Sequence, residues 1–152
     1  MTTPPPPNST SSLLLEVGRL YREDFRRRAQ HLKLTQSQTM ALAALAKQPG
    51  LTQIALADKL EVHPVTVTQL IDRLQRAGWV RREVHEDDRR AFRLFVTDQA
   101  DPILSELWKI AAEAREHAFG GLSAAERKQL DLLLNRVKSN LAGPDAAGSR
   151  GC

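Results

Sequence analysis

A mainly α-helical fold carrying one small β-hairpin is what this 152-residue chain predicts, and three observations carry the prediction. Apolar residues recur at three- and four-residue steps over most of residues 13–142, the mark of helices with one buried face. After Gly78 the period changes to two short runs rich in β-branched and aromatic residues. Both ends lack the residues a core needs: residues 1–12, with Pro4 to Pro7 in a row, and residues 143–152 (GPDAAGSRGC) are expected to be disordered tails.

The elements follow in order. Leu13, Leu14, Val17, Tyr21, Phe25 and Leu32 share one face of a long first helix, with Arg19, Arg22 and Arg26 to Arg28 on its other faces. A second helix starts after Thr35, whose hydroxyl caps it with Gln38 three residues on, and stops at Pro49-Gly50. Thr52 caps a short third helix through Leu60; a tight turn at Glu61 to His63 leads to a fourth, with Pro64 in its first turn and Gly78 at its end. Trp79 to Val84 and Phe92 to Val96 then form the hairpin around the charged turn His85 to Arg90. Two more helices close the fold, one through Ile103, Leu107, Ala111, Ala114 and Ala118, the other from Ser123, boxed with Glu126, through Leu130, Leu133, Val137 and Leu141.

Composition narrows the function. With 41% hydrophobic and 26% charged residues the chain can bury a core, and no apolar run is long enough for a membrane span or a signal peptide, so a cytoplasmic protein is expected. The single cysteine, Cys152, is in the expected tail, which leaves no intrachain disulfide and no cysteine-rich metal site, and no thiol switch is expected. His31, His63, His85 and His117 show no ligand spacing, and Glu86-Asp87-Asp88 reads as solvation of a turn, so neither a metal nor a cofactor is expected. No nucleophile triad, phosphate loop or paired carboxylates are present, so catalysis has no candidate residues. The net charge of +4 favours polyanions mildly.

Thr52 to Leu74 has the grammar of a helix-turn-helix, in which small Ala55 and Ala57 let two helices cross closely. Ile54, Leu60, Val62, Val67, Leu70, Ile71 and Leu74 would form the shared core, leaving Val65, Thr66, Thr68, Gln69 and Arg73 outward on a helix suited to a major groove. Gln69 can pair with an adenine edge, Val65 and the threonine methyls can meet thymine methyls, and Arg73 can grip phosphate. A solvated polar face would look much the same; the basic hairpin that follows, able to reach a minor groove, separates the two readings.

Over residues 31–102 the chain resembles the winged-helix core of MarR-family transcriptional regulators, on Leu51-Thr52-Gln53, Val67-Thr68, Ile71-Asp72-Arg73-Leu74, Ala77 to Arg82, and Asp88-Arg89-Arg90-Ala91 ahead of Leu94 to Thr97. The resemblance implies a DNA-binding region at 35–97 and, from 13–34 with 98–142, helices that intertwine as a homodimer. It also implies that Asp88-Arg89-Arg90 is at the wing tip, one arginine entering the minor groove and the other held by a carboxylate such as Asp72 or Asp88. A small aromatic or anionic effector would bind near the first two helices, where Tyr21, Arg26, His31 and Met40 stand, although core packing also explains Tyr21 and Met40. Several positions depart from the family pattern: Glu61 where Gly is frequent, His63 in place of a capping Ser or Thr, then Pro64, and Ala100 for Gly, with Pro102 moving the fifth helix's start to Asp101.

The expected protein is a homodimeric, ligand-responsive repressor that binds a pseudo-palindromic operator in double-stranded DNA. A sequence-indifferent architectural DNA binder is disfavoured by the modest charge and the lack of a long basic arm. A winged helix used for protein contacts is disfavoured by the Arg89-Arg90 tip.

Overall fold

The computed structural model describes residues 9–88 and 90–142. Its helices are α1 (Thr10–Ala29), α2 (Gln36–Lys47), α3 (Gln53–Leu60), α4 (Pro64–Arg76), α5 (Asp101–Phe119) and α6 (Ala124–Ala142); its strands are β1 (Leu51–Thr52), β2 (Val80–Val84) and β3 (Phe92–Val96). The chain forms two compact units, the first ending at Ala114 and the second beginning at Arg115. No described helix is long and apolar enough to cross a membrane.

Local capping sets most boundaries. Ser9 accepts the Ser12 N–H and starts α1 at Thr10, inside the segment expected to be tail. Thr35 and Gln38 form the reciprocal capping box, and Thr52 accepts the Ala55 N–H at 3.2 Å. α1 stops at Ala29, and a single tighter turn, Gln30–Leu32, carries the chain to a left-handed Lys33. α3 and α4 end alike. At Gly78 the Trp79 N–H reaches Leu74 O and the Gly78 N–H reaches Gln75 O; at Glu61 the Val62 and Glu61 N–H groups reach Ala57 O and Asp58 O. Gly78 takes its positive φ without penalty, whereas Glu61 adopts φ 55° with a side chain attached.

The sheet is three-stranded and antiparallel in the order β1-β3-β2. The hairpin pairs Val80 with Val96 through Val84 with Phe92. The third strand was not expected: Leu51 and Thr52 pair with Leu94 and Arg93. Leu42, Leu45, Leu56, Ile71, Leu74, Leu94 and Leu107 form the buried core of the first unit, drawn from α2, α3, α4, β3 and α5. Ile54, expected in that core, is 68% exposed. In an eight-residue helix that buries Leu56 and Ala57 and half-buries Leu60, position 54 falls outside the buried arc.

The second unit contains the end of α5 and α6. Ser123 and Glu126 cap α6 reciprocally, and Arg127 binds back to the Phe119 carbonyl at 3.1 Å. The Ser123 backbone N–H, and then its hydroxyl, hold the Glu126 carboxyl below the usual carboxylate value.

Candidate nucleic-acid interface

Two structures present the candidate residues: α4, and the hairpin that follows it. Pro64 occupies the first turn of α4, and His63 supplies the cap through its ring, Nδ1 accepting the Val65 N–H at 3.3 Å. A histidine thus replaces the hydroxyl usual at this place. Val67, Leu70, Ile71 and Leu74 are buried and fix the rotation of the helix about its axis. That rotation leaves Val65, Thr66, Thr68, Gln69 and Arg73 exposed, Val65 at 59%. Among the described residues, the polar side chains of Thr66, Gln69 and Arg73 have no hydrogen-bond or ion-pair partner.

Thr68 differs from its neighbours. Its hydroxyl donates to the Pro64 carbonyl at 3.2 Å and accepts from Gln53 Nε2 at 3.0 Å, so its one proton is committed. Asp72 is committed as well, to an arginine that precedes the wing tip. Its partner is Arg82 on β2, with Nη2 to Oδ1 at 2.6 Å. The same guanidinium donates through Nη1 to Gln75 Oε1 at 2.6 Å and through Nε to Gln53 Oε1 at 3.0 Å. Sequence reading missed Arg82, because it is one of two adjacent arginines and nothing local distinguishes them. Strand alternation does: Arg81 faces the other way and stacks its guanidinium 4.8 Å from the centre of the Phe95 ring.

Beyond the Val84–Phe92 pair the hairpin becomes a loop closed by His85 N–H to Ala91 O and Ala91 N–H to Asp88 O, both at 3.0 Å. Asp88 accepts the Arg90 backbone N–H at 2.9 Å, so its carboxylate shapes the loop. The Arg90 guanidinium is exposed and has no partner among the described residues. Arg89 and Cys152 lie outside the described residues.

A second feature is a cavity of about 470 Å³ between α1 and α2, lined by Tyr21, Arg22, Phe25, Arg26, Thr39 and Met40 among others. It brings together three of the four expected pocket residues. His31 is not in the lining; its Nε2 is 3.3 Å from Glu106 and its Nδ1 is 3.0 Å from the Arg28 carbonyl. Steps of about 100° per residue put position 31 roughly opposite the arc formed by Tyr21, Arg22, Phe25 and Arg26, so its side chain meets Glu106 instead. Arg26 is held by Glu23 at 2.7 Å, and this hydrogen bond keeps the Glu23 carboxyl below its ordinary value. Arg22 has no ion-pair partner among the described residues and is the free cation of the lining.

Comparison with known proteins identifies this arrangement. The family model described as MarR family matches residues 34–92. The solved transcriptional regulator PA3341 is 32% identical, with 88% of this chain and 98% of that chain covered at a TM-score of 0.79. A MarR-family regulator from Silicibacter pomeroyi is 27% identical over 84% of this chain and 86% of its own, at 0.74. BpsR of Bordetella bronchiseptica, at 23% identity, shares the fold over 87% of this chain and 94% of its own at 0.73. The helix order, the three-stranded wing and these matches together show that the chain belongs to the MarR family of transcriptional regulators.

Proposed function

We propose that the protein is a homodimeric, sequence-specific repressor acting in the cytoplasm on a pseudo-palindromic operator in double-stranded DNA, and that a small aromatic or anionic molecule releases it. The observation that carries this reading is the exposed set on α4, namely Val65, Thr66, Gln69 and Arg73, without side-chain partners among the described residues, beside a hairpin whose loop presents Arg90. A helix of this width and polarity fits a major groove, where Gln69 reads a base edge and Arg73 grips phosphate. Arg90, and Arg89 beside it in sequence, supply the charge attracted to a narrow minor groove. Binding, not catalysis, is the task.

The dimer is supported by apolar surface that the chain does not cover. Leu13, Leu14, Val17 and Leu20 on α1 and Leu133, Val137 and Leu141 on α6 are exposed, more than an isolated soluble chain ordinarily leaves in contact with water. Two-fold symmetry then spaces the recognition helices about one helical turn, ~34 Å, apart. Effector binding is supported by the α1–α2 cavity, whose aromatic Tyr21 and Phe25, and Arg22 without an ion-pair partner among the described residues, suit an aromatic acid. The DNA binding of BpsR is regulated by 6-hydroxynicotinic acid, a molecule of that class. A ligand that prefers one arrangement of the dimer shifts the population away from the DNA-competent one.

The test is enrichment of sequences from a random duplex library, followed by fluorescence anisotropy on the enriched and scrambled duplexes across a salt series. A preference of several hundredfold for a palindromic duplex is expected. Equal, steeply salt-dependent binding to both would replace this reading with an architectural one, and no binding with a protein-contact one. Release by 6-hydroxynicotinate or benzoate, weakened in Arg22→Ala, is the expected effector result.

A further inference from the structure

We infer that Arg82 is a positioning residue for sequence reading: it clamps one flank of α4 and thereby decides which side chains are left to meet the bases. The inference rests on the DNA-binding reading above and adds a residue, and an exclusion, that the exposed set alone does not give.

Steps of about 100° per residue divide α4 into three flanks. Val67, Leu70, Ile71 and Leu74 form the buried one. Thr68, Asp72 and Gln75 form the second, and all three bind Arg82: the Thr68 carbonyl at 3.5 Å, Asp72 Oδ1 at 2.6 Å and Gln75 Oε1 at 2.6 Å. Val65, Thr66, Gln69, Arg73 and Arg76 form the third, which is exposed. Gln53 extends the clamp to α3, accepting from Arg82 Nε through Oε1 while its Nε2 donates to the Thr68 hydroxyl. One half-buried guanidinium therefore joins β2, α3 and α4, with all three of its nitrogens engaged and its charge matched by Asp72.

Two consequences follow from that geometry. Arg82 is not available to phosphate, so its loss leaves the count of phosphate contacts unchanged. Thr68 is withdrawn from base reading although it stands on the exposed side of the helix, because its proton and an acceptor site are used within the fold. Lysine cannot replace the arginine, since a single ammonium cannot reach three acceptors held in a fork.

The test compares wild type, Arg82→Lys, Arg82→Gln and Gln53→Ala in the random-duplex enrichment and then in salt-dependent anisotropy. For Arg82→Lys we expect the preference for the enriched duplex over a scrambled one to fall about tenfold or more, with the salt slope unchanged. Gln53→Ala leaves the Arg82–Asp72 pair in place and frees an acceptor site on the Thr68 hydroxyl, whose proton stays with the Pro64 carbonyl. It is expected to change the preferred base at one position per half-site, and it keeps the test open if either Arg82 variant fails to fold. The role of Arg82 is overturned if the variants enrich the wild-type sequence with wild-type discrimination. It is equally overturned if Arg82→Gln loses affinity on both duplexes alike and lowers the salt slope by about 0.9, which marks a direct phosphate contact. A wild-type protein that enriches no sequence overturns this inference and the DNA-reading proposal together.

Discussion

α4 and α1 are both amphipathic, but they solve the problem of their apolar face differently. The 13 residues of α4 bury Val67, Leu70, Ile71 and Leu74 within the chain, whereas the 20 residues of α1 bury only Ala29. α4 is finished by its own polypeptide: one flank is in the core, one is clamped by Arg82, and one is free. The N-terminal half of α1 is not finished, since Leu13, Leu14, Val17 and Leu20 stay in water. A helix proposed to read DNA needs a fixed orientation within its own chain, while a helix proposed for assembly has to leave surface for the second copy.

The largest expected effect tests the packed side of that contrast. Leu74→Ala removes a fully buried side chain and should lower unfolding free energy by about 2–5 kcal/mol in urea titration. A loss below ~1 kcal/mol would mean that α4 is less well anchored than its burial implies. The unfinished side is tested by Val17→Asp, which should leave the helical circular dichroism intact and weaken self-association at least ~tenfold in sedimentation, because each 1.4 kcal/mol is tenfold. Unchanged association would take α1 out of the proposed interface.

Next come the two exposed residues proposed to meet DNA. Gln69→Ala should lower discrimination at one base by about 1–3 kcal/mol, whereas Arg90→Ala should weaken all sequences and reduce the salt slope by about 1. Reversal of those two patterns in anisotropy would exchange the roles of helix and wing. Smaller still is the joint before α4. Glu61→Gly keeps the same capping bonds without a left-handed side chain and should stabilise by up to about 1 kcal/mol in thermal or urea unfolding.

The smallest effect is on the polar face of α1. The Arg26 hydrogen bond holds the Glu23 carboxyl below its ordinary value, so the pair's contribution is present above the unfolded carboxylate value and lost as pH falls through the lower folded one. An NMR titration should show the Glu23 carboxyl moving back toward that ordinary value in Arg26→Ala. Both groups are solvent-exposed, so Glu23→Gln is expected to leave stability at neutral pH essentially unchanged.

Much of this molecule is readable locally. The Thr35–Gln38 box, the Thr52 cap, Pro64 in the first turn of α4 and the glycine stop at Gly78 each depend on residues within a few positions, and the structure contains each of them. The period change after Gly78 foretold the hairpin, whose strands are Val80–Val84 and Phe92–Val96. The outward side of α4 was legible for the same reason, since a helical period relates every exposed position to a buried one. The candidate pocket was legible in part: Tyr21, Arg26 and Met40 line the cavity, while His31, on the opposite side of the helical period, meets Glu106.

The sequence by itself determined the kinds and order of the major elements, because backbone capping and hydrophobic period act between near neighbours. Tertiary structure alone decided that Leu51–Thr52 joins the sheet through Leu94 and Arg93, that Ile54 lies outside the core, and that Arg82 rather than its neighbour Arg81 takes Asp72, Gln75 and Gln53. Those partners are far apart along the chain, and no local pattern encodes them. They are selected when β2 packs against α4 and a half-buried guanidinium must find acceptors for its donors.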